Sequence, residues 1–102
     1  LEHEFETAKV HFLAGLEHAE AGRYLEAEVD FRQSLKLLPG RESTLTNLVA
    51  VLIKMGKWDE AQALVESALQ RFPENSELVL NAGLLAYEKR LFEQALASFD
   101  KA

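Results

Sequence analysis

Gly22-Arg23-Tyr24-Leu25-Glu26-Ala27, closed by Pro39, returns as Gly56-Lys57-Trp58-Asp59-Glu60-Ala61, closed by Pro73. Glycine, aromatic, acid, alanine and proline each come back after 34 residues. Working outward, Ala95 continues the series Ala27 and Ala61, Phe92 continues Tyr24 and Trp58, and Gln94 continues Glu26 and Glu60. Leu35 is matched by Leu69. One interval shared by unrelated residue types marks an internal repeat, and a period of roughly 20–50 residues marks stacked supersecondary units.

The units read as helices. Ala61, Leu64, Val65, Ala68 and Leu69 fall at i, i+3, i+4, i+7 and i+8, the apolar stripe of an amphipathic helix. Phe92, Ala95, Leu96 and Phe99 follow the same rule. Asp59 and Glu60 stand in a first turn, where acids favour the helix dipole. Gly22 and Gly56 fall where a first helix should end, since glycine accepts the left-handed conformation common there. Pro39 and Pro73 lack a backbone donor and stop the second helix. The spacing predicts helices over 4–21, 24–37, 42–55, 58–71, 76–89 and 92–102, and no strand. Helix axes pack about 8–10 Å apart according to the side chains between them, so Ala27, Ala61 and Ala95 are expected at close contacts. Gly15 and Gly83 are expected to do the same from the first helices, with Val49 in the matching place of the second unit. Arg90 stands where Gly22 and Gly56 stand. A left-handed non-glycine residue costs roughly 1–2 kcal/mol, so the third turn is expected to take another geometry.

This pattern resembles the tetratricopeptide repeat, a 34-residue helix–turn–helix unit with small-residue, aromatic and proline positions. The registered repeats are 8–41, 42–75 and 76–102, the third lacking its last few residues, in a single domain over 1–102. The resemblance implies an all-α fold, a right-handed superhelical solenoid of antiparallel helix pairs. His11 departs from the large apolar residue usual early in a first helix, and Ala14 and Ala82 replace a usual leucine.

The chain has 102 residues, 48% of them apolar, a normal share for a globular core. It has no cysteine, which excludes disulfides, thiolate catalysis and cysteine-based zinc sites. The net charge of -6 repels nucleic-acid phosphates and anionic membrane surfaces alike, so neither is an expected partner. The longest apolar run, Leu48 to Ile53, is far too short to span a bilayer. The acidic start, Leu1 to Thr7, lacks the order of a secretory signal. The expected compartment is the cytoplasm, with the periplasm as the alternative.

No chemistry is expected. His11 and His18 are seven apart, whereas a helical metal pair wants i, i+3 or i+4. His11 is expected between helices and His18 partly exposed. Nearly all the carboxylates fit polar helix faces, and no pair is aimed at one pocket. Ser34, Ser43, Ser67, Ser76 and Ser98 lack a nucleophile context. No catalytic residue, metal or cofactor follows, and the chain is not expected to be an enzyme.

The resemblance implies instead a protein–protein interaction module, a scaffold holding a partner peptide or helix in a groove lined by first helices. Registration assigns Lys9, Phe12, Leu16, Ala19 and Glu20 to it from repeat one. Repeat two contributes Ser43, Thr46, Asn47, Ala50, Ile53 and Lys54. Repeat three contributes Glu77, Leu80, Asn81, Leu84, Tyr87 and Glu88. The best candidates for partner contact are Phe12, Leu16, Asn47, Ala50, Ile53, Leu80, Asn81, Leu84 and Tyr87. The groove is apolar with an acidic rim and suits the apolar face of an amphipathic helix. One subclass clamps the acidic tail of heat-shock chaperones with lysine, arginine and asparagine. Asn47 matches its asparagine, but Phe12, Glu77 and Asn81 fill the cationic places, so that ligand is not expected. The last helix, with Phe92, Leu96 and Phe99, is expected to self-associate because no helix follows to cover it. The alternative is a repeat segment of a larger enzyme, such as a glycosyltransferase or methyltransferase, since the chain stops at Ala102 inside a predicted helix. A related 35-residue repeat that reads single-stranded RNA is opposed by both the period and the charge.

Overall fold

The computed structural model describes residues 2–101, with side chains described through residue 97. Five helices follow one another: α1 (Glu2–Glu20), α2 (Tyr24–Leu37), α3 (Glu42–Lys54), α4 (Trp58–Arg71) and α5 (Ser76–Lys101). The described residues contain no strand. Each helix packs on the next, while α1 also touches α3 and α3 touches α5. Helices α1, α3 and α5 therefore form one layer, with α2 and α4 behind it, in a stack measuring 59 × 29 × 18 Å.

The two glycine turns are built alike. Gly22 and Gly56 have φ of 77° and 73°. In the first, the N–H groups of Gly22 and Arg23 donate to the carbonyls of Ala19 and His18 at 3.1 and 2.8 Å. In the second, those of Gly56 and Lys57 donate to Ile53 and Leu52 at 3.0 and 2.9 Å. This double closure satisfies the last carbonyls of the helix and needs a left-handed residue. Ahead of the prolines, Leu38 N–H donates to Ser34 O and Phe72 N–H to Ala68 O, at 2.9 and 2.8 Å. Asn75 then caps α5, its Oδ1 accepting from Leu78 N–H at 2.9 Å.

The third unit departs from expectation. The helices predicted over 76–89 and 92–102 are one continuous helix of 26 residues. Arg90 supplies no left-handed residue, and Glu88-Lys89-Arg90-Leu91 are all tolerant of or favourable to helix, so the backbone ladder simply continues. Three expectations fall with the missing turn. A Cβ built on Gly83 would meet nothing within 4 Å, so Gly83 is at no close contact. Ala95 is exposed, and Phe92 is 56% exposed rather than seated like Tyr24 and Trp58. The side chain of Phe99 lies outside the described residues.

In the first two units the small residues expected at contacts are buried. Ala27 and Ala61 are fully buried, and Val65 and Ala68 nearly so. Gly15 is pressed on Phe31, where a Cβ would come 2.5 Å from the ring. Phe31, Val49, Leu48, Leu52 and Val65 form one cluster with Leu78 and Leu85 of α5. Each large side chain so buried contributes roughly 1.5–3 kcal/mol.

Among the described residues one buried side-chain atom lacks a partner: the Thr44 hydroxyl makes no hydrogen bond. An unsatisfied buried hydroxyl costs about 1–3 kcal/mol. Thr44→Val keeps the shape and removes that group, so it is expected to raise the melting temperature. A lowered one would show that the hydroxyl has a partner in solution.

Candidate functional site

The layer of α1, α3 and α5 presents the face that registration assigns to partner binding, and its residues divide by exposure. Leu80, Leu84 and Tyr87 on α5 are 71%, 42% and 61% exposed, and Ala50 on α3 is exposed. Phe12, Leu16 and Ile53 are half-buried and pack against the core. Phe12 leans on Phe31 with ring centroids 5.9 Å apart. Asn47 and Asn81 are half-buried, and Asn47 Nδ2 donates to Ser43 O at 2.8 Å, which holds its amide along its own helix. Thr46, expected at the surface, is buried, its hydroxyl donating to Glu42 O at 2.8 Å. Glu20 and Glu77 are exposed, as an acidic rim requires.

At one end of this face the N-termini of α3 and α5 frame an open cleft of about 710 Å³. Asn47 and Glu77 line it, together with Glu42, Glu74 and Asn75, which the family register did not single out. Asn75 Nδ2 donates to Glu42 Oε2 at 2.8 Å, tying the cap of α5 to the start of α3. The available signal was the cap pattern itself: an asparagine two residues after Pro73, ahead of an apolar-periodic run.

A second departure concerns Glu28. Most carboxylates were expected on polar helix faces, yet this one is only 7% exposed. Lys57 Nζ donates to it at 2.9 Å and Arg32 Nε at 2.8 Å, while Arg32 also reaches Glu60 at 3.2 Å. The hydrogen bond from Lys57 leads in holding its carboxyl below the ordinary range, with Arg32 adding to it against the opposing effect of burial. The residues 28, 31 and 35 share one stripe, which is the signal that places Glu28 beside the core. A depressed folded-state value means stability present above the unfolded carboxylate pKa and lost as pH falls through the folded one. Glu28→Gln is therefore expected to melt below the parent at neutral pH, with the gap closing in acid. A gap that is constant from pH 7 to the acid range would remove the ion network from stability.

His11 is half-buried, and the half-buried His18 ring stands 2.6 Å from the Asp30 carboxylate, joining α1 to α2. Among the described residues no three histidine or carboxylate side chains gather as metal ligands. No helix of the described residues is long and apolar enough to cross a membrane.

A two-layer stack of helix pairs, with its first helices side by side, is a helical solenoid. Models of the tetratricopeptide repeat match residues 47–102, more than half the chain, and residues 18–68. The chain belongs to the tetratricopeptide repeat family. It is 34% identical over 86 residues to the photosystem I assembly protein Ycf3 of Synechococcus sp. (strain WH7803), covering 81% of this chain and 49% of that protein. It thus spans about half the length of that relative. Among solved structures, the Arabidopsis OM64 TPR domain superposes with a TM-score of 0.82 at 16% identity, over 96% of this chain and 81% of that one. The second TPR domain of human RPAP3, determined by NMR in complex with the HSP70 peptide SGPTIEEVD, gives 0.73 at 21% identity, over 78% and 67%. These two likenesses show the fold.

Proposed function

We propose that this protein-interaction module holds the apolar face of a partner helix or peptide against α1, α3 and α5, within a single three-repeat domain. The row Leu16, Ala50 and Leu84 carries the reading. These residues recur at the repeat interval on three adjacent helices, and none is buried. Phe12, Ile53, Leu80 and Tyr87 widen the row, while Asn47 and Asn81 supply amides for orientation. Exposed Glu20 and Glu77 favour a partner with basic flanks, since like charges repel and opposite ones steer.

Two comparisons support a polypeptide ligand. One relative is by name an assembly protein, and one structural neighbour holds a peptide. The enzyme-attached alternative finds no support in either. An acidic tail such as SGPTIEEVD would meet Glu77, with Glu42 and Glu74 beside it in the cleft, so it is not the favoured ligand here.

Capture experiments test the proposal with three baits: the parent, Leu84→Lys, and Glu66→Lys on the outer side of α4. Proteins held by the parent and by Glu66→Lys are expected to be lost from Leu84→Lys. Equal capture by all three would exclude the face.

A further inference from the structure

Two aromatic rings meet where the start of α4 faces the distal half of α5. Trp58 opens α4 and Phe92 stands on α5, with ring centroids 6.1 Å apart and planes at 80°. Tyr24 and Trp58 are separated by the same 34-residue interval, yet among the described residues they make no such pair. The contact belongs to the continuous helix: α5 runs on through Arg90 and leaves Phe92 beside α4, 56% exposed. The rings line a cleft of about 470 Å³ together with Leu96, Asp59, Glu93 and Lys89. An acid follows each ring, as Trp58-Asp59 and Phe92-Glu93, whereas Tyr24 is followed by Leu25. The acid–aromatic combination is therefore confined to the two repeats that build the cleft.

The charges of the cleft leave a place for one cation. Asp59 and Glu93 are both exposed carboxylates. Lys89 Nζ donates to Gln62 Oε1 at 2.6 Å and stands 3.7 Å from Asp59, so its ammonium is held against α4. Two carboxylates against one ammonium leave one negative charge over. Asp59 also lies in the first turn of α4, where it offsets the positive end of the helix dipole. The rings add to this, because an aromatic face is negative and attracts a cation placed over it. Planes so nearly perpendicular form two sides of a hollow, and Leu96, 49% exposed, adds apolar surface beside them.

We propose that the hollow between Trp58 and Phe92 binds an alkylated ammonium group, carried by a methylated lysine side chain or by a free quaternary ammonium compound. A plain ammonium is a compact, strongly hydrated charge, and it gains little by leaving water for exposed carboxylates. An alkylated one wears methyl groups, which pack on rings and on Leu96 while the charge is felt by both ring faces and by Asp59 and Glu93. Aromatic surfaces are the general means of recognising quaternary ammonium groups. The site stands apart from the row Leu16, Ala50 and Leu84 and does not rest on it.

Trp58 is the only tryptophan of the chain, so its fluorescence reads the site directly. The probes are choline, its uncharged isostere dimethylbutanol, and a short peptide carrying either trimethyllysine or unmodified lysine. A saturable change is expected with choline, with the trimethyllysine peptide, or with both, and none with dimethylbutanol. Binding of the methylated peptide alone would identify a protein side chain as the source, and choline binding at least as well would identify a free compound. Phe92→Leu keeps an apolar side chain at an exposed position, so the fold should survive, but it removes one ring. Affinity should then fall about fivefold, the worth of one cation–ring contact. Equal binding of dimethylbutanol would reduce the cleft to an apolar surface and overturn the proposal. Equal binding of the unmodified lysine peptide, an unchanged affinity in Phe92→Leu, or no saturable response to any ammonium at millimolar concentration would overturn it as well.

Discussion

Ala61→Asp is expected to leave the chain largely unfolded at room temperature. Ala61 is fully buried in α4, in the same cluster as Ala27, Leu48 and Val65. A carboxylate there would force the helices apart and would lose its water. An uncompensated buried charge costs about 3–5 kcal/mol. Folded domains have only about 5–15 kcal/mol in total, and small ones lie at the low end. Ala63→Asp, exposed on the same helix, separates burial from helix propensity and should melt close to the parent. Circular dichroism melting curves decide it. An Ala61→Asp chain melting within a degree or two of the parent would show that the alanine is not at the contact.

Leu84→Lys is the second large effect, this time on binding. Leu84 is 42% exposed, so a lysine ammonium can stay in water and the fold should survive. A bound partner helix would cover it. Full burial of a leucine is worth roughly 1.5–3 kcal/mol, and a lysine there adds the cost of stripping water from a charge. At about 1.4 kcal/mol per tenfold, affinity should fall by one to two orders of magnitude. Titration calorimetry against the captured partner reads this directly, with Glu66→Lys as the unchanged control. Collapse of the fold in Leu84→Lys would instead assign the leucine to the core.

Which features were legible in the sequence follows from how local their causes are. The glycine turns at Gly22 and Gly56, the stops at Pro39 and Pro73, and the buried Ala27 and Ala61 each depend on a single residue type in a regular backbone. All of them stand where the 34-residue interval put them. The continuity of α5 was not legible, because the interval carried Phe92 and Ala95 forward as though a turn preceded them. Arg90 is the wrong residue for that turn, and its consequence is the loss of the turn and not a variant of it. Gly83 and Ala95 lost their expected contacts for the same reason. The burial of Glu28 was not legible, because one carboxylate on a helix looks solvated until Lys57 is brought beside it. The face of α1, α3 and α5 was legible as a set of repeat positions. How far Phe12, Leu16 and Ile53 sink into the core depends on their neighbours across the layer, which repeat spacing does not encode.

The most direct test of partner binding is amide chemical-shift mapping of the isotopically labelled chain titrated with its captured partner. Shifts are expected to concentrate along α1, α3 and α5, centred on Leu16, Ala50 and Leu84, and to spare the outer sides of α2 and α4. Shifts confined to α2 and α4, with Ala50 and Leu84 unmoved at saturation, would contradict it.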